Sequence, residues 1–285
     1  MIYIQVLIDG VIVGLMFALV AMGLSMIYGI MNIVNFAYGE FMMLGMYLVF
    51  FLWEVGGVDP LLSLPIAAVV MFGFGVLVYR VLARYLVGAN LISQIFATFG
   101  LMLFLQAGAN FLWKANVRTV GDNWSSGFFQ ISGLFFTLPE IVSAAGALGA
   151  ALILFWIINR TEVGLALQAT AEDVDAAKLM GINTDRMFAV AWGLSAAAIA
   201  IGGGLLATHF AIYPLVGARW VLPAFVAVAI GGFGSITGAF WGGIIIGLVE
   251  VYGGFLTDPA FKTVFVYALF LLIVMWRPYG LMGRK

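Results

Sequence analysis

Charged side chains fall out of this chain at long intervals. None occurs in 10–39, 60–79, 85–113, 141–159, 187–218 or 220–249, which are windows of 30, 20, 29, 19, 32 and 30 residues. About 20 residues of helix cross the hydrocarbon core of a bilayer, so each window is long enough to span one. A transmembrane barrel would instead alternate polar and apolar residues over short stretches, and no such alternation occurs. Lipid offers no partner to backbone amides, so wherever these windows face lipid they must be helical. The pattern predicts helices near 6–29, 36–53, 61–80, 90–112, 139–158, 187–208, 221–250 and 262–276. The expected fold is all-α, a polytopic membrane helix bundle of about eight membrane segments forming a single transmembrane domain over 1–285.

Composition agrees and removes several chemistries. Hydrophobic side chains make up 65% of the chain and charged ones 9%, whereas about a quarter of the residues of a soluble domain are charged. With no cysteine and the single histidine His209, neither a thiolate or multi-histidine metal site nor a disulfide framework can be built. A net charge of -1 gives no electrostatic reason to bind nucleic acid. The opening MIYIQVLIDG lacks a basic n-region, so the first apolar segment is expected to be kept as a span.

Basic residues in short loops favour the cytoplasm. Arg80 with Arg84, then Arg160, Lys178 and Arg186, then Arg277, Arg284 and Lys285 mark three such sites, placing the 160–186 loop and the C-terminus inside and the 113–138 loop outside. Between Arg186 and Arg277 the number of crossings must be even, yet three apolar segments intervene. The 220–249 window is too short for two full spans, and GGFGS at 231–235 would break a helix, so two half-helices or a re-entrant hairpin are expected there. A second interruption, GIMNIVNFAYGE at 29–40, puts two amides, a glycine and a carboxylate between apolar runs. One broken segment in each half of a chain points to a midplane substrate path in transporters built from repeats. Residue matching does not reveal a repeat here. The side of the N-terminus depends on whether the second segment crosses.

These two breaks supply the candidate path residues. Asn32, Asn35 and Gly39 fall at i, i+3 and i+7 and would share one helical face beside Glu40. An ionisable group inside a membrane segment is a functional candidate by default, although the amides would equally serve to bond neighbouring helices. Gly231, Gly232, Gly234 and Ser235 complete the set. Gly234, Gly238 and Gly242, with Gly243 and Gly247, form small-residue stripes of the kind that let helices approach closely.

The only hydrophilic stretch within the array, 160–186, carries eight of the chain's 25 charges. Thr170-Ala-Glu172-Asp173 fits a capping box, and Gly181 is suited to the left-handed residue that ends a helix. A cytoplasmic helix is therefore predicted over 171–180, with Val174, Ala177 and Met180 as a narrow apolar edge and Lys178 near its end. Its acidic start at Glu172, Asp173 and Asp175 disfavours anionic lipid and favours docking of a soluble partner.

Three motifs in order carry a resemblance: NIVNFAYGEFMMLGMY at 32–47, GLALQATAEDVDAAKLMGINTDR at 164–186 and AIGGFGSITGAFWGG at 229–243. Together they resemble the LivH-type permease of bacterial branched-chain amino-acid ABC transporters, over nearly the whole chain. The resemblance implies an inner-membrane importer subunit paired with a second, LivM-type permease, two cytoplasmic ATPases and a periplasmic substrate-binding protein. It also implies that 164–186 receives the ATPase stroke. Family members often carry arginine at one or both of the positions of Leu165 and Gln168, and these uncharged residues offer no ion pair to the ATPase. Permeases for urea and short amides have a similar loop. No G-x-x-x-x-G-K-[ST] occurs, so ATP and its magnesium belong to partner subunits, and no cofactor is expected on this chain. The rival from another class is a self-sufficient secondary carrier in which Glu40 or Glu250 binds the driving ion.

Overall fold

The computed structural model describes residues 2–121, 127–131, 134–277 and 279–283; Arg284 and Lys285 lie outside them. The protein is a bundle of apolar helices: α1 (Ile2–Met31), α2 (Tyr38–Glu54), α3 (Pro60–Val81), α4 (Leu91–Trp113), α5 (Leu138–Arg160), α6 (Glu162–Glu172), α7 (Val174–Leu179), α8 (Thr184–Leu206), α9 (Ala218–Gly231), α10 (Ile236–Leu256) and α11 (Lys262–Trp276). Among the described residues, seven helical stretches are long and apolar enough to cross a membrane, α11 being counted with the short helical turn that precedes it from Pro259. One short antiparallel hairpin, β1 (Phe128–Ile131) and β2 (Leu134–Thr137), precedes α5. Polar side chains start several helices by accepting from the free amides of the first turn. Asp59 does so for α3, Asn90 for α4, Asn183 for α8 and Ser235 for α10.

The bundle has a basic end, marked by Arg80, Arg160, Lys178, Arg186 and Arg277, and a far end. At the basic end the Tyr79 hydroxyl donates to Asp185, 2.6 Å away, tying α3 to the start of α8. At the far end Arg118 pairs with Glu54 at 3.5 Å, the Gln5 amide exchanges two hydrogen bonds with the Phe135 backbone, and the Tyr252 hydroxyl donates to the Tyr3 carbonyl. The N-terminal end of α1 therefore lies opposite the basic end, and the first three helices alternate in direction.

Between Arg186 and Arg277 the chain makes four passes, α8 to α11, satisfying the even count. The expectation of two half-helices or a re-entrant hairpin over 220–249 is corrected in part. The break falls at the predicted glycines and α9 is a half-length helix of 14 residues, but α10 has 21 residues, about 32 Å of helix. It runs antiparallel along α1, from Gly29 beside Gly234 to Gly10 beside Leu248. Room for both helices comes from the connector 207–217, which folds back into the bundle so that Gly217 lies against Gly39 and α9 begins at mid-depth. Eight segments thus become nine apolar helices among the described residues.

Two stretches of the fold are inverted copies. α1 to α4 and α8 to α11 follow the same path with the ends exchanged: α1 packs along α10 as α8 packs along α3, α2 on α8 as α9 on α1, and α2 on α3 as α9 on α10. Burial follows the same pairing, with the apolar window 78% buried in α1 and 83% in α8, 28% in α3 and 33% in α10, 11% in α4 and 6% in α11. Such inverted repeats are known among transporters. Residue matching misses this one because the two copies share an arrangement of burial, not a sequence.

Glycines allow the closest crossing. A Cβ on Gly14 would stand 2.8 Å from the Ile244 Cα, and Gly243 and Gly247 press on the backbone of α1 in return. We predict that Gly14→Leu lowers stability in detergent by about 1–3 kcal/mol, read as a fall in thermal midpoint, whereas Gly73→Leu, where a Cβ meets nothing within 4 Å, leaves the midpoint unchanged.

Candidate functional site

The first break lies between α1 and α2. Asn32 takes a left-handed conformation, φ 53°, which asparagine tolerates better than bulkier residues. Residues 32–35 lie outside any helix, and the Asn35 side-chain Oδ1 accepts from the Ala37 amide at 2.9 Å just before the next helix. This corrects the shared helical face expected for Asn32, Asn35 and Gly39, because α1 ends at Met31, before the left-handed Asn32, and the next helix starts only at Tyr38. Asn32 is exposed at the basic end, whereas Asn35 and Glu40 are fully buried. Glu40 accepts from the Gln106 amide at 2.8 Å. Its other oxygen and the Asn35 Nδ2 have no hydrogen-bond partner among the described residues. Gly39 lies against Gly217, and the Tyr38 hydroxyl donates to the Val221 carbonyl, so the N-termini of α2 and α9 meet inside the bundle.

Polar residues of α4 serve this break and escaped the sequence reading. Gln94 and Thr98, four residues apart, share one side of this mostly apolar helix, and Gln106 and Asn110, also four apart, share a side further round it. Thr98 donates to the Val34 carbonyl at 3.1 Å and Gln94 reaches the Leu86 and Ala89 carbonyls. Gln106 and Asn110 line an open groove of about 490 Å³ with Tyr213 and Leu215.

The second break joins α9 to α10. Gly232 and Gly234 have φ of 104° and 82°, values open to glycine and poorly to other residues. Gly231 lies against the Gly238 carbonyl, and Ser235 caps α10 by accepting from the Gly238 amide at 3.0 Å. The end of α9 leaves carbonyls without helical donors. The amides of Leu281 and Met282 supply two of them, reaching Ile230 and Gly231 at 2.8 and 2.9 Å, so the C-terminal segment caps a helix about 50 residues earlier in the chain. Asn32, Gly234 and Ser235 share a recess of about 420 Å³ with Gln168 and Glu172. The structure thus brings both breaks and the hydrophilic loop to one place at the basic end, while Asn35 and Glu40 lie apart from it.

The loop itself differs from the expected single helix over 171–180. α6 runs through Thr170, which is buried and donates to the Ala166 carbonyl at 2.7 Å instead of capping. The cap is Asp173, which accepts from the Asp175 and Ala176 amides at 2.9 Å each, so α7 starts at Val174. A carboxylate outcompetes the threonine hydroxyl because it accepts two bonds and faces the positive helix end. Gly181 ends α7 as anticipated, with φ 84°. Its amide reaches Lys178 and that of Ile182 reaches Ala177, each at 3.0 Å, the paired closure of a Schellman motif. Lys178 pairs with Asp175 at 3.1 Å on the exposed side. Ala177 is buried and Val174 half-buried, but Met180 is exposed, so the apolar edge divides. Val174 and Ala177 seat the helix, and Leu179 with Met180, 89% and 83% exposed, are its outward apolar pair.

The branched-chain amino acid transport system permease component family model matches residues 6–274. This chain belongs to that permease family. It is 31% identical to the high-affinity branched-chain amino acid transport system permease protein BraD of Pseudomonas aeruginosa, covering 99% of this chain and 96% of that one. It is 30% identical to the protein LivH of Escherichia coli with the same coverage, and 29% identical to a probable LivH of Methanocaldococcus jannaschii, covering 98% and 92%. No solved structure matches it. The permease is a multi-pass membrane protein, and its family is one of transport subunits, not enzymes.

For this permease, Asp173→Ala is expected to cost about 1 kcal/mol of local helix stability, read as faster hydrogen exchange of the 174–177 amides. Thr170→Ala leaves those amides protected, since its hydroxyl serves α6.

Proposed function

We propose that this permease is the membrane-spanning subunit of an ATP-driven importer that carries leucine, isoleucine and valine across the bacterial inner membrane. Near-full-length similarity to branched-chain amino acid permeases carries this reading. ATP with its magnesium is bound and hydrolysed on two cytoplasmic ATPase subunits. A second, LivM-type permease completes the corridor, and a periplasmic binding protein delivers the substrate. The basic end, with the 160–186 loop and the C-terminus, faces the cytoplasm, as the clustering of arginine and lysine there supports.

Within this reading α6 and α7 form the lever that receives the ATPase stroke, contacting it through Glu172, Asp173, Lys178 and the outward Leu179 and Met180. The exposed apolar pair on a doubly closed helix supports it, because a short helix pinned at both ends transmits displacement without fraying. Asn32, Asn35, Glu40, Gly231, Gly232, Gly234 and Ser235 surround the path. The glycines and Ser235 shape the break, and the amides and carboxylate offer transient hydrogen bonds.

The test is co-purification from membranes together with leucine uptake. Leu179→Asp with Met180→Asp should release the ATPase subunits and abolish uptake, while the bundle keeps its thermal midpoint because both side chains point outward. Retention of the ATPases in that double variant, or leucine transport by the purified chain alone under an ion gradient, would reject the reading. Loss of uptake in Asn35→Ala and Glu40→Gln with assembly intact would assign both to the path.

A further inference from the structure

A second recess lies at the far end of the bundle, away from both helix breaks. It has a volume of about 220 Å³, small beside the several hundred Å³ typical of drug-sized ligand sites. Its wall carries both signs of charge. Asp9 of α1, Glu140 in the first turn of α5 and Glu250 of α10 supply carboxylates, and Arg219 of α9 and Lys262 of α11 supply cations. Its floor is apolar, made by Ile12, Met16 and Phe17 with Trp220. Five helices and the connector therefore converge on a chamber that the two helix breaks do not need.

The charges are only partly matched to one another. Lys262 pairs with one oxygen of Glu250 at 2.6 Å, and the other oxygen is buried without a hydrogen-bond partner among the described residues. The Trp220 indole nitrogen is likewise buried without a partner there. Arg219 forms no ion pair with an acid among the described residues. Its guanidinium lies over the Phe210 and Trp220 rings, 5.4 and 5.8 Å from their centroids, which leaves its donors open to an incoming anion. The aromatic floor is fixed by ring contacts, Phe17 on Trp220 at 5.2 Å and Phe210 on Trp220 at 5.4 Å.

A free amino acid carries an ammonium and a carboxylate on one carbon, and burying either without its opposite is costly. We propose that this far-end chamber binds a zwitterionic apolar amino acid, its carboxylate held by Arg219, its ammonium by Glu250 and Asp9, and its side chain laid on Phe17, Trp220 and Met16. The inference rests on the importer reading and adds to it a substrate site inside this one chain. A sugar would leave the charges unmatched, and a purely apolar solute would bury them for nothing. Glu140 and His209 flank the acidic side, Glu140 within electrostatic reach of both Asp9 and the imidazole, which weights the chamber toward a group with its own positive charge.

The experiment is equilibrium binding of radiolabelled leucine to the permease purified with its co-purifying subunits and free of any binding protein. Saturable binding is expected. 3-Methylbutylamine, which lacks the carboxylate, and 4-methylpentanoate, which lacks the ammonium, should each compete at least about tenfold less well than leucine. Arg219→Ala should weaken binding at least about tenfold and Arg219→Lys should restore part of it. Glu250→Gln serves as a second variant that keeps the shape of the chamber. Absence of saturable binding, equal competition by either analogue, or unchanged affinity in both Arg219→Ala and Glu250→Gln would overturn the site. If the complete transporter takes up leucine while those variants bind normally, the site alone falls. If it takes up no amino acid at all, the site and the importer reading fall together.

Discussion

Every helix break in this bundle has to hide its backbone from lipid. An unpaired amide or carbonyl in hydrocarbon costs several kcal/mol, whereas a single pair of carbon atoms in contact returns only about 0.1–0.2 kcal/mol. Breaks therefore survive only where other backbone comes close enough to cover them, and side chains stand in the way of that approach. At the breaks, main chain meets main chain at Gly29 with Gly234, at Gly39 with Gly217 and at Gly231 with Gly238. The C-terminal segment covers what glycine contacts leave, donating to Ile230 and Gly231. The path of the chain from α1 to α2 and from α9 to α10 depends on this covering more than on any single hydrophobic contact.

The same constraint explains why the two inverted halves lock together where they do. α2 and α9 both begin at depth, and their first turns meet at Gly39 and Gly217, residues of opposite halves lying close to the axis that would exchange them. The helices nearest that axis, α1 and α8, are the most buried, and the outermost equivalents, α4 and α11, are the least. α4 is also built the other way round from a soluble helix: its inward residues are Gln94 and Thr98 and its exposed ones include Phe96, Leu103 and Phe104. Polar groups face inward because only there can they find partners.

Much of this was legible in the charge pattern. The windows without charge predicted helix ends within a few residues, since a charged side chain leaves the hydrocarbon core wherever it can. The glycine run at 231–235 gave the break because its conformation is a local property. The length of α10 was not legible, because it depends on the connector 207–217 folding inward, a tertiary event with no local signal. The start of α7 was misjudged for a related reason. Both Thr170 and Asp173 can cap, and the choice follows from Thr170 being drawn into the packing of α6, where its hydroxyl finds the Ala166 carbonyl. The polar residues Gln94, Thr98, Gln106 and Asn110 were present in the sequence four or eight residues apart, but none of them is charged, so charge counting passed over them.

The position of α6 and α7 gives the proposed lever a specific reach. They hang between the last turn of α5 and the first of α8, and α6 also touches α1. Gln168 of α6 donates to the Ile158 carbonyl at 2.7 Å, so α6 is tied to α5, while Gln168 and Glu172 line the same recess as Asn32 of the first break and Gly234 of the second. A displacement of α6 would therefore meet both breaks at once. Close-packed interiors transmit strain instead of absorbing it, and the backbone contact of Gly29 on Gly234 leaves no side chain to yield. Motion applied at the basic end must then either separate the two breaks or carry them together, and separating them would expose the carbonyls that the glycine contacts and the C-terminal segment cover. Carrying them together preserves that cover, which favours rigid rocking of one inverted half against the other about Gly39 and Gly217 over local unfolding at either break.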